Sequence, residues 1–244
     1  MAFKRVAVLT FLADEYLSYS AVIDSTSTYA YFGFLTSPGK VVKVRLSDFS
    51  RVGVVTFNTG ENYVEGAVID HTNTYAYFVC RVSSGKVVKV RLSDFSRVGV
   101  VTFNTGENYP TSAVIDSTDT YAYIGCAITP ARVIKVRLSD FSRVGAVTFS
   151  SGENKLRSAV RDHTSKYAYF GCDISPGKVV KIKLSDFTRV VAVTLNSGES
   201  YLKGAVRDHT SKYAYFGCQT EPGKVVKIDI SLIRPDYLML TGLH

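Results

Sequence analysis

The chain repeats itself at a constant spacing of 46 residues. The string LSDFSRVGVVTFNTGENY occupies residues 46–63 and recurs unchanged at residues 92–109, and weaker copies begin at Leu138 and Leu184. A repeat of this length without a helical period is typical of stacked supersecondary units, which bury their apolar faces only against neighbouring units. The repeat therefore favours one domain over residues 1–244 rather than two small domains.

One repeat contains four segments with the composition of β-strands. In the second copy they are GAVID (66–70), YAYFVC (75–80), KVVKVRL (86–92) and FSRVGVVTF (95–103), here called a, b, c and d. All are rich in β-branched or aromatic residues, and turn residues such as Ser, Asp, Asn and Gly separate them. Four antiparallel strands repeated about an axis form one propeller blade. The sequence therefore predicts an all-β, five-bladed β-propeller.

The strand count also predicts how the ring closes. The predicted blades are 20–57, 66–103, 112–149, 158–195 and 204–230, with residues 231–244 as a tail. The last blade lacks a good d strand, because Pro235 and Asp236 interrupt the copy. Residues 3–11 (FKRVAVLTF) align without gaps on residues 49–57, so we expect them to be the missing strand and not part of a cleaved leader. In the alternative, residues 232–240 close the last blade and the N-terminal strand pairs elsewhere, for example with another chain.

The pattern AVID-x-T-x-x-YAYFG, followed by GKVVKVRLSDF and VGVVTF, resembles the YVTN-type β-propeller repeat, which is related to WD-repeat and lactonase-like propellers. The resemblance covers essentially the whole chain and implies a propeller fold, but these repeats serve many functions. Such relatives usually have about seven blades, and this chain has neither a WD dipeptide nor any tryptophan. The near-identity of the copies implies recent amplification or deliberate engineering.

Two positions of the repeat differ in every copy, although neighbouring positions such as those of Ala67 and Tyr77 hardly change. The first, just before strand a, holds Tyr19, Glu65, Thr111, Arg157 and Lys203, and the second, just after strand b, holds Leu35, Arg81, Ala127, Asp173 and Gln219. Because a and b form a hairpin, we expect the two positions to be cross-strand neighbours at its open end. They would lie near the channel mouth on the face of the d–a and b–c loops, here called the top face. The variation indicates either a recognition surface or drift at exposed positions.

A third position holds a glutamate in every copy. These residues lie in the d–a loops and are Glu15, Glu61, Glu107, Glu153 and Glu199. They could bind a cation or a basic ligand, but a role in capping the backbone N–H groups of each turn is simpler. Acid–base catalysis needs two carboxyl groups in different environments, and a fivefold repeat gives them equal ones. We therefore expect neither catalysis nor a cofactor.

Metal binding is not expected from the histidines or the cysteines. His71, His163 and His209 share one position in turns of separate blades, on the face opposite the top face. The four cysteines also share one position, after strand b, and lack a CxxC spacing: Cys80, Cys126, Cys172 and Cys218. We interpret them as buried apolar residues. Four unpaired thiols favour a reducing, cytoplasmic location.

The net charge of +8 comes mostly from lysines and arginines that recur on strands c and d. They predict a basic girdle around the circumference, which suits weak, non-specific binding to polyanions better than specific nucleic-acid recognition. Two copies also carry Arg161 and Arg207 where the others have isoleucine, which indicates a position that reaches solvent in the channel. No run of ~20 apolar residues predicts a membrane span.

These observations favour a non-catalytic binding or scaffold module that recognises a protein or a glycan on its top face, and we expect a monomer. Two alternatives remain open. One is a designed or reconstructed propeller without a natural function. The other is a lactonase-like or glycosidase-like hydrolase, which would need a pocket that joins a few carboxylates.

Overall fold

A computed structural model describes residues 4–210 and 212–231. They form an all-β propeller whose five blades are arranged in a ring, and no described residue lies in a helix. Blade 1 contains β1 (Ser18–Ile23), β2 (Tyr29–Phe34), β3 (Lys40–Arg45) and β4 (Ser50–Thr56). Blade 2 contains β5 (Val64–Ile69), β6 (Tyr75–Cys80), β7 (Lys86–Arg91) and β8 (Ser96–Thr102). The predicted fold class is confirmed.

The remaining strands follow the same order. Blade 3 contains β9 (Pro110–Ile115), β10 (Tyr121–Cys126), β11 (Arg132–Arg137) and β12 (Ser142–Thr148). Blade 4 contains β13 (Leu156–Arg161), β14 (Tyr167–Cys172), β15 (Lys178–Lys183) and β16 (Thr188–Thr194). Blade 5 contains β17 (Leu202–Arg207), β18 (Tyr213–Cys218) and β19 (Lys224–Asp229). Within each blade the strands pair antiparallel in chain order, so strand a lies innermost and strand d outermost.

An aspartate at the end of each strand a fixes the hairpin to strand b. In blade 2 the buried Asp70 accepts hydrogen bonds from the backbone N–H groups of Thr74 (2.8 Å) and Tyr75 (2.9 Å) and from the Thr72 hydroxyl (3.0 Å). This carboxylate satisfies the donors of the turn, which could not pair within the sheet. The recurrence of Asp at this position therefore has a structural cause.

The hydrophobic cores lie between blades. One cluster joins Tyr31 and Phe57 of blade 1 to Phe78, Cys80 and Val88 of blade 2, all of them buried. Three similar clusters join blades 2 and 3, blades 3 and 4, and blades 4 and 5. Each of the three middle blades therefore contributes one face to each of two cores, and blades 1 and 5 contribute to one of these four clusters each. The cysteines, which are buried and free, belong to these cores as predicted. The location inferred from them stays a prediction.

In blades 1 to 4, the lysines at the repeat position of Lys89 do not belong to an exposed girdle, and the prediction for that position is wrong there, whereas Lys227 of blade 5 is exposed. Lys89 lies in the third strand, not at the circumference, and its ammonium group is 3.9 Å from the centre of the Tyr75 ring. It also donates a hydrogen bond to the carbonyl of Leu138 in the next blade (3.4 Å). Burial lowers the pKa of Lys89. These lysines thus support the packing of neighbouring blades through cation–π contacts.

The glutamates of the d–a loops have the structural role predicted for them. The Glu61 carboxylate accepts a hydrogen bond from the backbone N–H group of Asn58 (3.0 Å). It also accepts two hydrogen bonds from the Arg97 guanidinium group, on the outer strand of the same blade (2.8 and 2.5 Å). The same Glu–Arg pairing occurs in blades 1, 3 and 4. Each pair therefore links the loop that enters a blade to that blade's outermost strand.

The N-terminal closure of the ring is not observed. Residues 4–17 form no strand, and β19 is the outermost described strand of blade 5. Inner strands of neighbouring blades pack together at four junctions, but β17 and β1 form no comparable interface within the described residues. Leu9 and Phe11 instead pack on blade 1. The alternative closing strand, residues 232–240, lies outside the described residues.

Removing one Glu–Arg pair should cost stability. Burial raises the pKa of the Glu153 carboxyl, but hydrogen bonds from Arg189 and Ser150 outweigh this effect and hold the pKa below its usual range. A carboxyl with a lowered pKa stabilises the fold above the pKa of the unfolded chain, and the contribution disappears as pH falls. Glu153→Gln should therefore lower the free energy of unfolding by about 2 kcal/mol at neutral pH, and the difference should vanish well below pH ~4.

Urea unfolding of the variant and the natural chain across this pH range measures the effect. Asp140→Asn is the matched control, because Asp140 forms an exposed pair with Arg137 on the blade surface. We expect no measurable change in that control. Equal effects of the two substitutions would contradict the assigned role of Glu153.

Thiol reactivity should show which blade leaves its cysteine most accessible to a reagent. Burial raises the pKa of Cys172 to about 12 and also raises those of Cys80 and Cys126. These three residues are 0% exposed, whereas Cys218 of blade 5 is 8% exposed. In the folded chain at pH ~8 a thiol-specific reagent should therefore modify Cys218 first, as mass spectrometry of tryptic peptides would show. Earlier modification of Cys126, in the central blade, would contradict this order.

Candidate functional site

The first variable position lies at a β-bulge within strand a. In blade 2, Val64 pairs with Cys80 and Gly66 pairs with Val79, so Glu65 is an extra residue without a cross-strand partner. The same irregularity falls on the variable residue in every blade: Tyr19, Glu65, Thr111, Arg157 and Lys203. Bulges redirect a side chain out of the regular alternation of a strand. The prediction that this position precedes strand a is thus corrected, because the residue lies inside the strand.

The second variable position follows strand b and is anchored by its backbone. The N–H group of Arg81 donates to the carbonyl of Tyr63 (2.9 Å), and Tyr63 has a φ of 59°. Equivalent hydrogen bonds hold Leu35, Ala127, Asp173 and Gln219. The extra bulge residue shifts the register, so the two variable positions are not direct cross-strand partners as expected. They remain at the same end of the hairpin.

Eight of the ten predicted residues line one pocket, to which every blade contributes. Its volume is about 300 Å³. The lining residues are Tyr19, Leu35, Glu65, Arg81, Thr111, Arg157, Lys203 and Gln219. The two others are Asp173, which contacts Arg157 and Lys203, and Ala127, whose short side chain is half-buried beside the pocket. The structure therefore brings the variable positions of all five blades together around the axis.

A chain of ion pairs connects the side chains of this pocket. The buried Glu65 carboxylate accepts hydrogen bonds from Arg81 of its own blade (3.2 Å) and from Arg157 of blade 4 (2.7 Å). The Oδ2 atom of Asp173 lies 3.5 Å from Nε of Arg157 and 2.7 Å from Nζ of Lys203. The contact between blades 2 and 4 reaches past blade 3, where the small residues Thr111 and Ala127 leave space. Sequence comparison of the copies could not reveal such contacts across the axis.

The arrangement of charges suits binding of a polar ligand. Three cationic groups, Arg81, Arg157 and Lys203, surround two carboxylates, Glu65 and Asp173, so the pocket carries one excess positive charge. The Nε atom of Arg81 is buried and makes no hydrogen bond within the described protein, whereas the buried Nε atom of Arg157 faces the Asp173 carboxylate at 3.5 Å. Buried polar atoms normally have partners, so the Arg81 Nε group is the one donor of this cluster left without an acceptor among the described residues. Tyr19, 61% exposed, adds an aromatic surface at the rim.

The opposite face holds a second polar contact that the sequence did not predict. His71 of blade 2 contacts the Asp119 carboxylate of blade 3 through Nδ1 (2.7 Å) and Arg161 of blade 4 through Nε2 (3.0 Å). Burial lowers the pKa of Arg161, and the nearby Arg207 lowers it further. The Arg161 side chain, which we expected to reach solvent in the channel, thus also contacts a residue of another blade. Among the described residues no group of three His, Cys, Asp or Glu side chains is placed to hold a metal ion.

Comparison with solved structures shows the fold and not the family. No protein-family model matches the sequence, and no curated protein does. The chain is similar to Kuenenia stuttgartiensis hydrazine synthase, with a TM-score of 0.75 and 14% identity over 95% of this chain and 70% of that one. It is also similar to the Cps50 (Swd1) β-propeller domain of Myceliophthora thermophila, with a TM-score of 0.67 and 12% identity over 83% of this chain and 62% of that one.

The WD40 repeats of RRP9 give a TM-score of 0.70 and 10% identity over 89% of this chain and 62% of that one. The chain thus spans roughly two thirds of the length of these β-propellers. The chain is a propeller repeat protein. Its resemblance to the YVTN type stays a prediction. Within the described ranges, no helix has the length and hydropathy needed to cross a membrane.

The contact across the axis should appear as an energetic coupling. Glu65→Gln and Arg157→Gln each remove one partner of a charged, largely buried hydrogen bond. A double-mutant cycle should therefore give a coupling free energy of about 1–2 kcal/mol in urea unfolding. The control cycle uses Arg137 and Asp140, whose side chains are half exposed and whose coupling should be undetectable. Additive effects of the two substitutions would contradict the contact.

Proposed function

We propose that the chain is a non-catalytic binding module that recognises a segment of a partner protein in the top-face pocket. One observation carries the proposal: the positions at which the copies differ, on five separate blades, line one pocket. Drift at exposed positions would not require these side chains to be buried or to pair with one another between blades, as Glu65 does with Arg157 and Asp173 with Lys203. The bulge in each strand a supports this interpretation, because it turns the variable side chain towards that volume while the rest of the blade stays constant.

The chemistry of the pocket favours a segment with a carboxylate or another acidic group. The pocket has one excess positive charge, and the Arg81 Nε group has no acceptor among the described residues. An acidic side chain that entered it would meet Arg81, Arg157 and Lys203 without disturbing the Glu65 pairs. Similarity to WD40 propellers agrees with protein binding at the level of the fold. A glycan is the second candidate, because Tyr19 offers a ring surface beside the polar residues Thr111 and Gln219.

Several contacts favour a binding role over hydrolysis. Four of the five loop glutamates form an ion pair with an arginine of their own blade. The two carboxylates beside the pocket, Glu65 and Asp173, are both paired with Arg157. A general acid must be free to meet the substrate, and these carboxylates are already held by cationic side chains of the chain itself. The proposal therefore assigns these carboxylates to the shape and charge of the pocket.

A screen of the folded chain on a peptide array and a glycan array tests the proposal. Binding to acidic peptides is expected, and it should weaken with salt because the recognition is charge-assisted. Substituting Arg81 and Arg157 would leave Glu65 buried without a partner, so a rim variant is a better probe: Tyr19→Ser, Lys203→Gln and Gln219→Ala. This variant should lose at least roughly tenfold in affinity, the loss for a few contacts worth about 1.4 kcal/mol in total.

The matched control changes three exposed valines of the outer strands to threonine: Val52, Val98 and Val144. Both variants should melt close to the natural chain, and only the rim variant should lose binding. Unchanged binding by the rim variant would contradict the assignment of the pocket. Binding confined to the glycan array would transfer the proposal to its second candidate.

A further inference from the structure

The two ends of the row of blades carry surfaces with which no described strand pairs. On blade 5, Val225 of β19 is 71% exposed and Val206 of β17 is 65% exposed. On the N-terminal segment, Val6 and Val8 are largely exposed. Within the row, the residues equivalent to Val225 are buried: Val41, Val87, Val133 and Val179. Val52 and Val54, the equivalents of Val6 and Val8, are 37% and 41% exposed and so less exposed than the N-terminal valines. Apolar strands left open in this way are templates for pairing with another strand.

The N-terminal segment already has one of the two contacts that an outer strand makes. Within the row, the phenylalanine that ends a strand d packs on strand b of the next blade, as Phe57 does on Phe78 at 6.1 Å. Phe11 makes the equivalent contact with Phe32 of blade 1 at 5.9 Å. Residues 9–11 therefore lie where the end of a preceding blade's outer strand belongs. The described residues contain no other strand of a blade that precedes blade 1 in the chain.

Charge complementarity identifies the blade that fits. In blade 1, Arg45 of strand c is the register partner of Ser50 of strand d, and the next three blades also place a basic residue opposite Ser or Thr. In blade 5 the basic residue is replaced by Asp229, and Lys4 stands at the repeat position of Ser50. Asp229 and Lys4 thus both differ from the residues at these positions in blades 1 to 4, and the two side chains carry opposite charges.

The neighbouring position separates the N-terminal segment from the chain's own tail. Arg234 of the tail also has the repeat position of Ser50, so Asp229 alone does not discriminate between the two segments. Glu199, however, has no ion pair in the described part of the chain, unlike its four counterparts. The arginine that such a glutamate needs corresponds to Arg5 in the N-terminal segment and to Pro235 in the tail. Proline has no side-chain donor and no backbone donor for a ladder.

We infer that residues 4–11 of one copy form the missing outer strand of blade 5 in a second copy. Lys4 pairs there with Asp229, Arg5 pairs with Glu199, and Val8 lies opposite Val226. A second copy can supply this strand without altering the four inter-blade junctions. Pairing within one chain would require β17 and β1 to form an interface that the described residues lack, although blades 1 and 5 both line the pocket. The contact is heterologous, so it joins chains head to tail into a ring or an open row. This interaction does not depend on the proposed pocket function.

Cysteine cross-linking between full-length chains tests the pairing and its register. Chains that carry Val8→Cys are mixed with chains that carry Val226→Cys, oxidised mildly and separated on a denaturing gel without reductant. Facing residues of antiparallel strands have a Cα separation that allows a disulfide. A cross-linked dimer is expected. The matched control pairs Val6→Cys with Val226→Cys, two residues out of register, and should give much less dimer.

A charge exchange tests the pair of Lys4 and Asp229. Lys4→Asp in the Val8→Cys chain should lower the yield of dimer roughly threefold, and Asp229→Lys in the Val226→Cys chain should restore it. Restoration with these two different chains supports association between copies. Equal yields from the Val8 and Val6 mixtures would overturn the strand pairing. A chain that carries both Val8→Cys and Val226→Cys and forms only an internal disulfide would overturn the role of a second copy.

Discussion

A blade of this protein can bury its apolar faces only against another blade. Each core cluster contains residues from two neighbours, and Tyr, Phe and Lys side chains meet across the first three junctions. At the fourth junction, the Tyr169 hydroxyl donates a hydrogen bond to the carbonyl of Ile230. The stability of the fold is therefore a property of the junctions rather than of single blades. Five blades supply four such junctions; among the described residues only Leu9 and Phe11 cover the outer face of blade 1, and no blade covers that of blade 5.

This constraint explains which residues vary between copies. Residues that face a junction, such as Tyr77 or Val88, must fit an almost identical neighbour, so they hardly change. The bulge residue of strand a and the residue after strand b face the axis instead, where each blade meets a different set of side chains. Variation at these positions does not disturb the packing between neighbouring blades. The same geometry gathers the variable side chains into one pocket, in which Glu65 of one blade meets Arg157 of another.

The sequence predicts the parts of the structure that arise from local pattern and repetition. The strands, the blade count, the capping glutamates and the buried cysteines follow from alternation, turn residues and comparison of the copies. The bulge at Glu65 was missed, because an extra residue within a strand has no signature in composition. The position of Lys89 over a tyrosine ring was missed because alternation alone does not reveal which faces meet another blade. The open junction between β17 and β1 depends on the curvature accumulated over four interfaces, which no single repeat encodes.

Amide hydrogen exchange of the dilute, monomeric full-length chain tests most directly whether junctions set the stability. The account predicts the slowest exchange in β9–β11, which have neighbours on both sides, and the fastest exchange among the strands in β19 and β1. Exchange rates should rise from the central blade towards both ends of the row. Equal protection of β19 and β11 would show that the ring is closed within one chain and would contradict the account.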